Sequence, residues 1–179
     1  MAQFKTYSAS VEVNGETVLS IVDGMGAMKS MAMSILEKNG IKDPKPGQWF
    51  KQQSWLNAFK QISESVGANT LSQIGQKIPE NAQFPPDIDS IEKALAAIDV
   101  AYHMNHRNGE IGDYAYKGTG PRKAVMQCAN PYPCDFDRGI IVSMARRFAP
   151  KGANVRVAHD DSKPCRKNGA ESCTYSVAW

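Results

Sequence analysis

Hydrophobic and polar positions change period along the chain, and each change marks an element. Tyr7, Ala9, Val11 and Val13 alternate with Thr6, Ser8, Ser10 and Glu12. Asn14-Gly15 follows, and the chain continues ETVLSIV. Asn-Gly between two such runs signals a two-residue type I′ turn, whose central residues need positive φ. The pattern predicts a β-hairpin over residues 5–22.

From Asp23 the period becomes 3.6. Met25, Met28, Met31, Ala32, Ile35 and Leu36 recur at helical spacing as far as Lys38, and Asn39-Gly40 supply a stop. A second helix is predicted over residues 48–65, with Trp49, Leu56, Phe59 and Ile62 on one face. A short third helix covers residues 70–77 and ends before Pro79. A fourth, over residues 88–105, turns Ile88, Ile91, Leu95, Ile98 and Tyr102 inward. Beyond HRNGEIG the period returns to two, giving strands at DYAYKG and RKAVMQC. A helix after Pro133 buries Phe136, Ile140, Ile141, Met144, Ala145 and Phe148, and NVRVAH and CTYSVAW are the last strands. Strands segregated from helices predict an α+β fold: a mostly antiparallel sheet packed against a helical layer, in one domain over residues 1–179.

Composition narrows the function. The chain has 179 residues, 42% hydrophobic and 22% charged, with a formal net charge of +3. That balance is no nucleic-acid footprint, and the densest basic stretch, Arg146 to Lys151, reads as a solvated helix end. No run reaches the ~18 apolar residues of a membrane span. MAQFKTYSAS has no apolar core or cleavage signature, so a cytoplasmic protein is expected. Thiols stay reduced there, which favours metal ligands over disulfides for the four cysteines.

Those cysteines form two local pairs, Cys128-x5-Cys134 and Cys165-x7-Cys173, with His159 at a strand end as an alternative ligand. Tetrahedral zinc takes four such ligands, usually in pairs close in sequence. These spacings are wider than common zinc knuckles, so buried inert thiols and disulfides stay open as alternatives. His103 and His106 lie near a helix end, where the helix dipole accounts for a histidine. They could also anchor a ligand in a pocket or bind iron. The methionine stripe is either core or a pliable wall for an apolar ligand. GxSxG, P-loop, HExxH and dinucleotide-binding signatures are absent.

The runs NPYPCDFDRGII and NVRVAHDDSKPCRKNGAESCTYSVAW resemble the 4-vinyl reductase-like domain family, through Cys134, Cys165, Gly169, Cys173 and Tyr175. LSQIGQKIPENAQFPP is also similar to that family's mid-domain helix and turn, so the resemblance covers residues 70–179. The family is similar in fold to haem–nitric-oxide-binding domains and to TRAPP-type vesicle-tethering subunits. The resemblance implies a pocket for a small hydrophobic molecule, a sensor or tetrapyrrole-related role, and in some members a cysteine-bound zinc. One departure matters: the Tyr-x-Ser-x-Arg device that clamps haem propionates is missing, because Tyr175-Ser176-Val177 breaks it.

The expectation is therefore a non-enzymatic domain binding a small hydrophobic molecule. Met28, Met31, Phe59, Tyr102 and His103 would line its pocket. Zinc would be held by Cys128, Cys134, Cys165 and Cys173, or with His159 in place of one of them, and would anchor the C-terminal strand. An enzyme or enzyme subunit acting on a tetrapyrrole-like substrate is the alternative, and an iron–sulfur or haem sensor is another. A sensor standing alone would need a separate output partner, and a homodimer is compatible with the sequence.

Overall fold

A computed structural model describes residues 3–179. The fold is α+β, with two antiparallel sheets and a helical layer. The smaller sheet has the order β2-β1-β3 and is built from β1 (Glu12–Asn14), β2 (Trp49–Lys51) and β3 (His106–Arg107). The larger has the order β4-β5-β7-β6, from β4 (Asp113–Gly120), β5 (Lys123–Ala129), β6 (Arg156–His159) and β7 (Cys173–Ala178).

Antiparallel pairing occurs at the N-terminus, but its partner is not the segment after Asn14-Gly15. Glu12 pairs with Lys51 and Asn14 with Trp49, while residues 15–24 form helix α1 (Gly15–Gly24). Asn14 has φ −73° and ψ 157°, and its side chain accepts a hydrogen bond from Thr17 N. It is an N-cap, the other role this residue type fills well. Gly15 serves a close approach instead of a turn, since a Cβ there would lie 2.0 Å from the Lys45 carbonyl oxygen. Val18 and Ile21 then fall on one buried helical face.

The predicted helix over residues 23–38 is broken. Gly26 takes φ +52°, a 3₁₀ turn spans Gly26–Met28, and α2 (Lys29–Lys38) starts in a new direction. Ala32, Ile35 and Leu36 enter the core, whereas Met28 and Met31 are 38% and 39% exposed. The break turns those two methionines outward, so they line no interior pocket.

The helical layer continues with α3 (Gln52–Ser65), α4 (Ala68–Gln76), the single turn α5 (Ile78–Asn81), α6 (Ile91–Met104) and α7 (Cys134–Arg147). Helices α4 and α7 touch backbone to backbone. A Cβ on Gly75 would lie 2.1 Å from the Phe136 carbonyl oxygen, and one on Gly139 would lie 2.2 Å from that of Ser72. This contact sets the start of α7 against the helical layer. Tyr175 on β7 fixes it from the other side, donating its hydroxyl to the Cys134 carbonyl at 2.8 Å. Among the described residues no single helix is long and apolar enough to cross a membrane.

Candidate metal centre and interior cavity

Cys134 opens α7, His159 closes β6, Cys165 precedes a 3₁₀ turn (Arg166–Asn168), and Cys173 opens β7. One ligand atom from each of the four lies within 4.8 Å of the others. The sulfur separations are 3.0 Å for Cys134–Cys173, 3.5 Å for Cys134–Cys165 and 3.7 Å for Cys165–Cys173. Three thiolates on a tetrahedral zinc at ~2.3 Å would sit about 3.8 Å apart. All four cysteines of the chain are free thiols.

The histidine is oriented for the same point. Its Nδ1 bonds Asp161 Oδ1 at 2.8 Å, and its ring packs edge-on to Tyr175. That leaves Nε2 buried with no hydrogen-bond partner among the described residues. A carboxylate on one ring nitrogen with the other left for a metal is the usual arrangement of ligating histidines. Antiparallel pairing explains the proximity, because His159 pairs with Tyr175, two residues along β7 from Cys173.

Cys128 lies outside this group. It pairs across the sheet with Cys173 from β5, but the ligand atoms that lie within 4.8 Å of one another belong to Cys134, His159, Cys165 and Cys173. It is fully buried, and burial pushes its thiol well above the usual range. The four-cysteine version of the site is thus replaced by three cysteines and His159.

Residues that sequence reasoning passed over hold the cluster in place. Arg166 is 2% exposed. Its Nε and its backbone N–H both donate to Cys173 Sγ at 3.4 Å, and its remaining nitrogens bond Asn130 and Asp137. Tyr114 donates to the second oxygen of Asp137 at 2.7 Å. The Cys134 thiol and the Arg166 N–H groups favour the Cys173 thiolate, and Cys134, as the donor of that pair, is raised. Burial lifts Asp137 to about 6 against the pull of Arg166 and Tyr114. Arg166 stays protonated, because Asp137 and Cys173 outweigh its desolvation. Signals for this pair were in the sequence: Asp137 stands three residues after Cys134, in the first helical turn, and Arg166 follows Cys165.

The interior between helices and sheet is filled by rings. Trp55, Phe59, Tyr102, Tyr132, Phe136 and His106 stack with centroid separations from 4.6 to 6.0 Å. A cavity of about 30 Å³ remains, and Tyr102 is on its wall. Phe59 packs in the ring cluster and is not on that wall. His103 faces outward beside Asp99, so it anchors nothing inside. His106 is the buried histidine of the pair. Its Nδ1–H donates to the Tyr102 carbonyl at 2.8 Å, and its Nε2 accepts from the Tyr132 hydroxyl at 2.6 Å.

No family model matches the chain, and no curated protein does. Solved structures do. An H-NOX protein from S. oneidensis in its Fe(II) state aligns with TM-score 0.66 and 14% identity over 92% of this chain and 95% of that one. The fold is that of H-NOX domains. An H-NOX structure described as probing haem distortion gives 0.64 and 14%, over 93% and 94% of the two chains. An oxygen-binding H-NOX domain related to soluble guanylate cyclases gives 0.63 and 13%, over 92% and 91%.

The interior between helices and sheet, as it is filled here, does not fit haem. Pockets for ligands of that class run to roughly 300–1,000 Å³, and the interior cavity here is about 30 Å³. Haem iron is commonly held by a histidine nitrogen. Here His103 faces outward, both nitrogens of His106 are engaged, and His159 belongs to the sulfur cluster.

Proposed function

We propose that this chain is a haem-free, small-ligand-binding module with the H-NOX fold, built around one zinc ion. Cys134, His159, Cys165 and Cys173 hold the ion. The observation that carries this reading is the buried Nε2 of His159 without a hydrogen-bond partner among the described residues, set among three thiols whose sulfurs lie 3.0–3.7 Å apart. Bound zinc supplies a cross-link between α7, β6, β7 and the loop before β7. Four protein ligands leave no open position for catalysis, so the metal's role is structural and the module is a binding domain. The arginine at the site fits that role, since a zinc with three thiolates carries one excess negative charge and Arg166 offsets it.

A haem sensor is the competing reading, because the neighbours of this fold include Fe(II) and oxygen-bound H-NOX proteins. The filled interior and the hydrogen bond that occupies His106 Nε2 argue against it. Expression with zinc and a haem precursor, followed by metal analysis and a visible spectrum, separates the two. The expected result is about one zinc per chain and no haem absorbance. Haem absorbance with an equivalent of iron would overturn the proposal.

A further inference from the structure

The larger sheet buries one face and leaves the other open. Tyr114, Met126, Tyr175 and Val157 belong to the inward set and are buried. The alternate positions form an outward face whose middle is small: Val125, Ser176 and Ala158 share one row, and Ala178 holds the next. Cations frame it. Lys117 ends the first row beside Val125, and Lys123 and Arg156 flank Ala178 on either side. All three are exposed. Two strand spacings, about 10 Å, separate the backbones of Lys123 and Arg156. Arg122, also exposed, adds a fourth cation in the turn between β4 and β5, at the same end of the sheet.

None of these four side chains forms an ion pair among the described residues. The one carboxylate within the four strands is Asp113, at the far end of β4. A basic residue on an edge strand guards against unwanted strand pairing, which accounts for Lys117 on β4 and Arg156 on β6. It does not account for Lys123, because β5 is an interior strand. The residue types also select the partner. Sheet faces that bind single-stranded nucleic acid stack its bases on outward aromatic rings. Here Tyr114 and Tyr175 are buried, and Tyr116 and Trp179 pack against the core. A lipid surface needs large outward apolar chains, and Val125 is the largest on this face. A second copy of the face would set cations against cations. We infer that this face docks an acidic segment of a protein partner, seated on the small central residues with its carboxylates toward Lys117, Lys123 and Arg156. A few exposed charges on a small face give a fast, salt-sensitive and transient association. The inference is independent of the metal centre and of the interior cavity.

The test titrates the purified chain into a fluorescently labelled oligoglutamate at low salt, with zinc content measured on the same sample. A labelled single-stranded oligonucleotide and vesicles of phosphatidylserine in phosphatidylcholine are the competing probes. Saturable binding of oligoglutamate is expected, with backbone amide shifts concentrated at Lys117, Lys123, Val125, Arg156 and Ser176. Lys117→Glu, Lys123→Glu and Arg156→Glu together should weaken it by about tenfold or more. The same charge change on the helical layer, at Lys29, Lys42 and Lys60, should weaken it by no more than about twofold. Glutamine at the three sheet positions provides a second test if the charge reversal folds poorly, and an intermediate loss is expected. Absence of saturable binding, equal losses in the two triple variants, or tighter binding of the oligonucleotide or the vesicles would overturn the inference. Zinc-loaded protein that ignores oligoglutamate refutes the docking face alone, and zinc-free protein that binds it refutes the metal centre alone.

Discussion

Arg166 directly follows one cysteine of the cluster in sequence, yet its guanidinium serves another: Nε and the backbone N–H of Arg166 both donate to Cys173 Sγ at 3.4 Å. The same side chain reaches Asp137 on α7 and the Asn130 carbonyl. One residue thereby fixes the loop before β7, the start of β7 and the first turn of α7.

Arg166→Met should weaken zinc binding by about 10–100-fold, the usual cost of losing a partner that orients a ligand. It should also lower stability by about 3–5 kcal/mol, since Asp137 would remain buried without its cation. Arg166→Met with Asp137→Asn should recover part of the stability but not the affinity. Chelator competition and urea unfolding measure the two quantities separately.

Gly75→Ala places a methyl 2.1 Å from the Phe136 carbonyl oxygen, backbone against backbone, where no side chain can move aside. Overpacking of this kind costs about 1–3 kcal/mol, sometimes more. The comparison is Gly118→Ala, whose added Cβ meets only the Tyr116 hydroxyl at 3.4 Å. Thermal unfolding should show a clear loss for the first and a much smaller one for the second.

Acid should act through His106. Burial lowers its pKa from 6.5 to about 4. Between those values the unfolded chain binds the proton more readily than the folded one, so stability falls as pH drops from 6.5 toward 4. The contribution is about 3 kcal/mol, present in full above pH 6.5 and lost on the acid side. His106→Gln should reduce the acid loss by about 2 kcal/mol, read from urea unfolding at pH 7 and at pH 4.5.

The sequence carried much of this architecture, and its failures have physical causes. Period-two runs located β4, β5, β6 and β7, because each of these strands buries one face. Asn14-Gly15 misled, because Asn caps helices as readily as it turns hairpins and only tertiary contact decides. Asn14 Nδ2 bonds Asn105 Oδ1 at 2.7 Å, a partner 91 residues away. The short strands β2 and β3 have no pattern of their own and exist through pairing with β1. Within the site, Cys134, Cys165, Cys173 and His159 were visible as residue types, but which of the candidate ligands group together depended on the folded chain. Arg166 and Asp137 each stand close to a cysteine in sequence, but only their burial shows that the two charges meet within the site.

X-ray absorption at the zinc edge of the purified chain tests the central claim most directly. The account predicts one zinc with about three sulfurs near 2.3 Å and one nitrogen near 2.0 Å, and His159→Ala should remove the nitrogen shell. Four sulfurs would bring Cys128 into the centre and contradict the ligand set. A shell of oxygen and nitrogen alone, or no zinc above background, would contradict the metal centre itself.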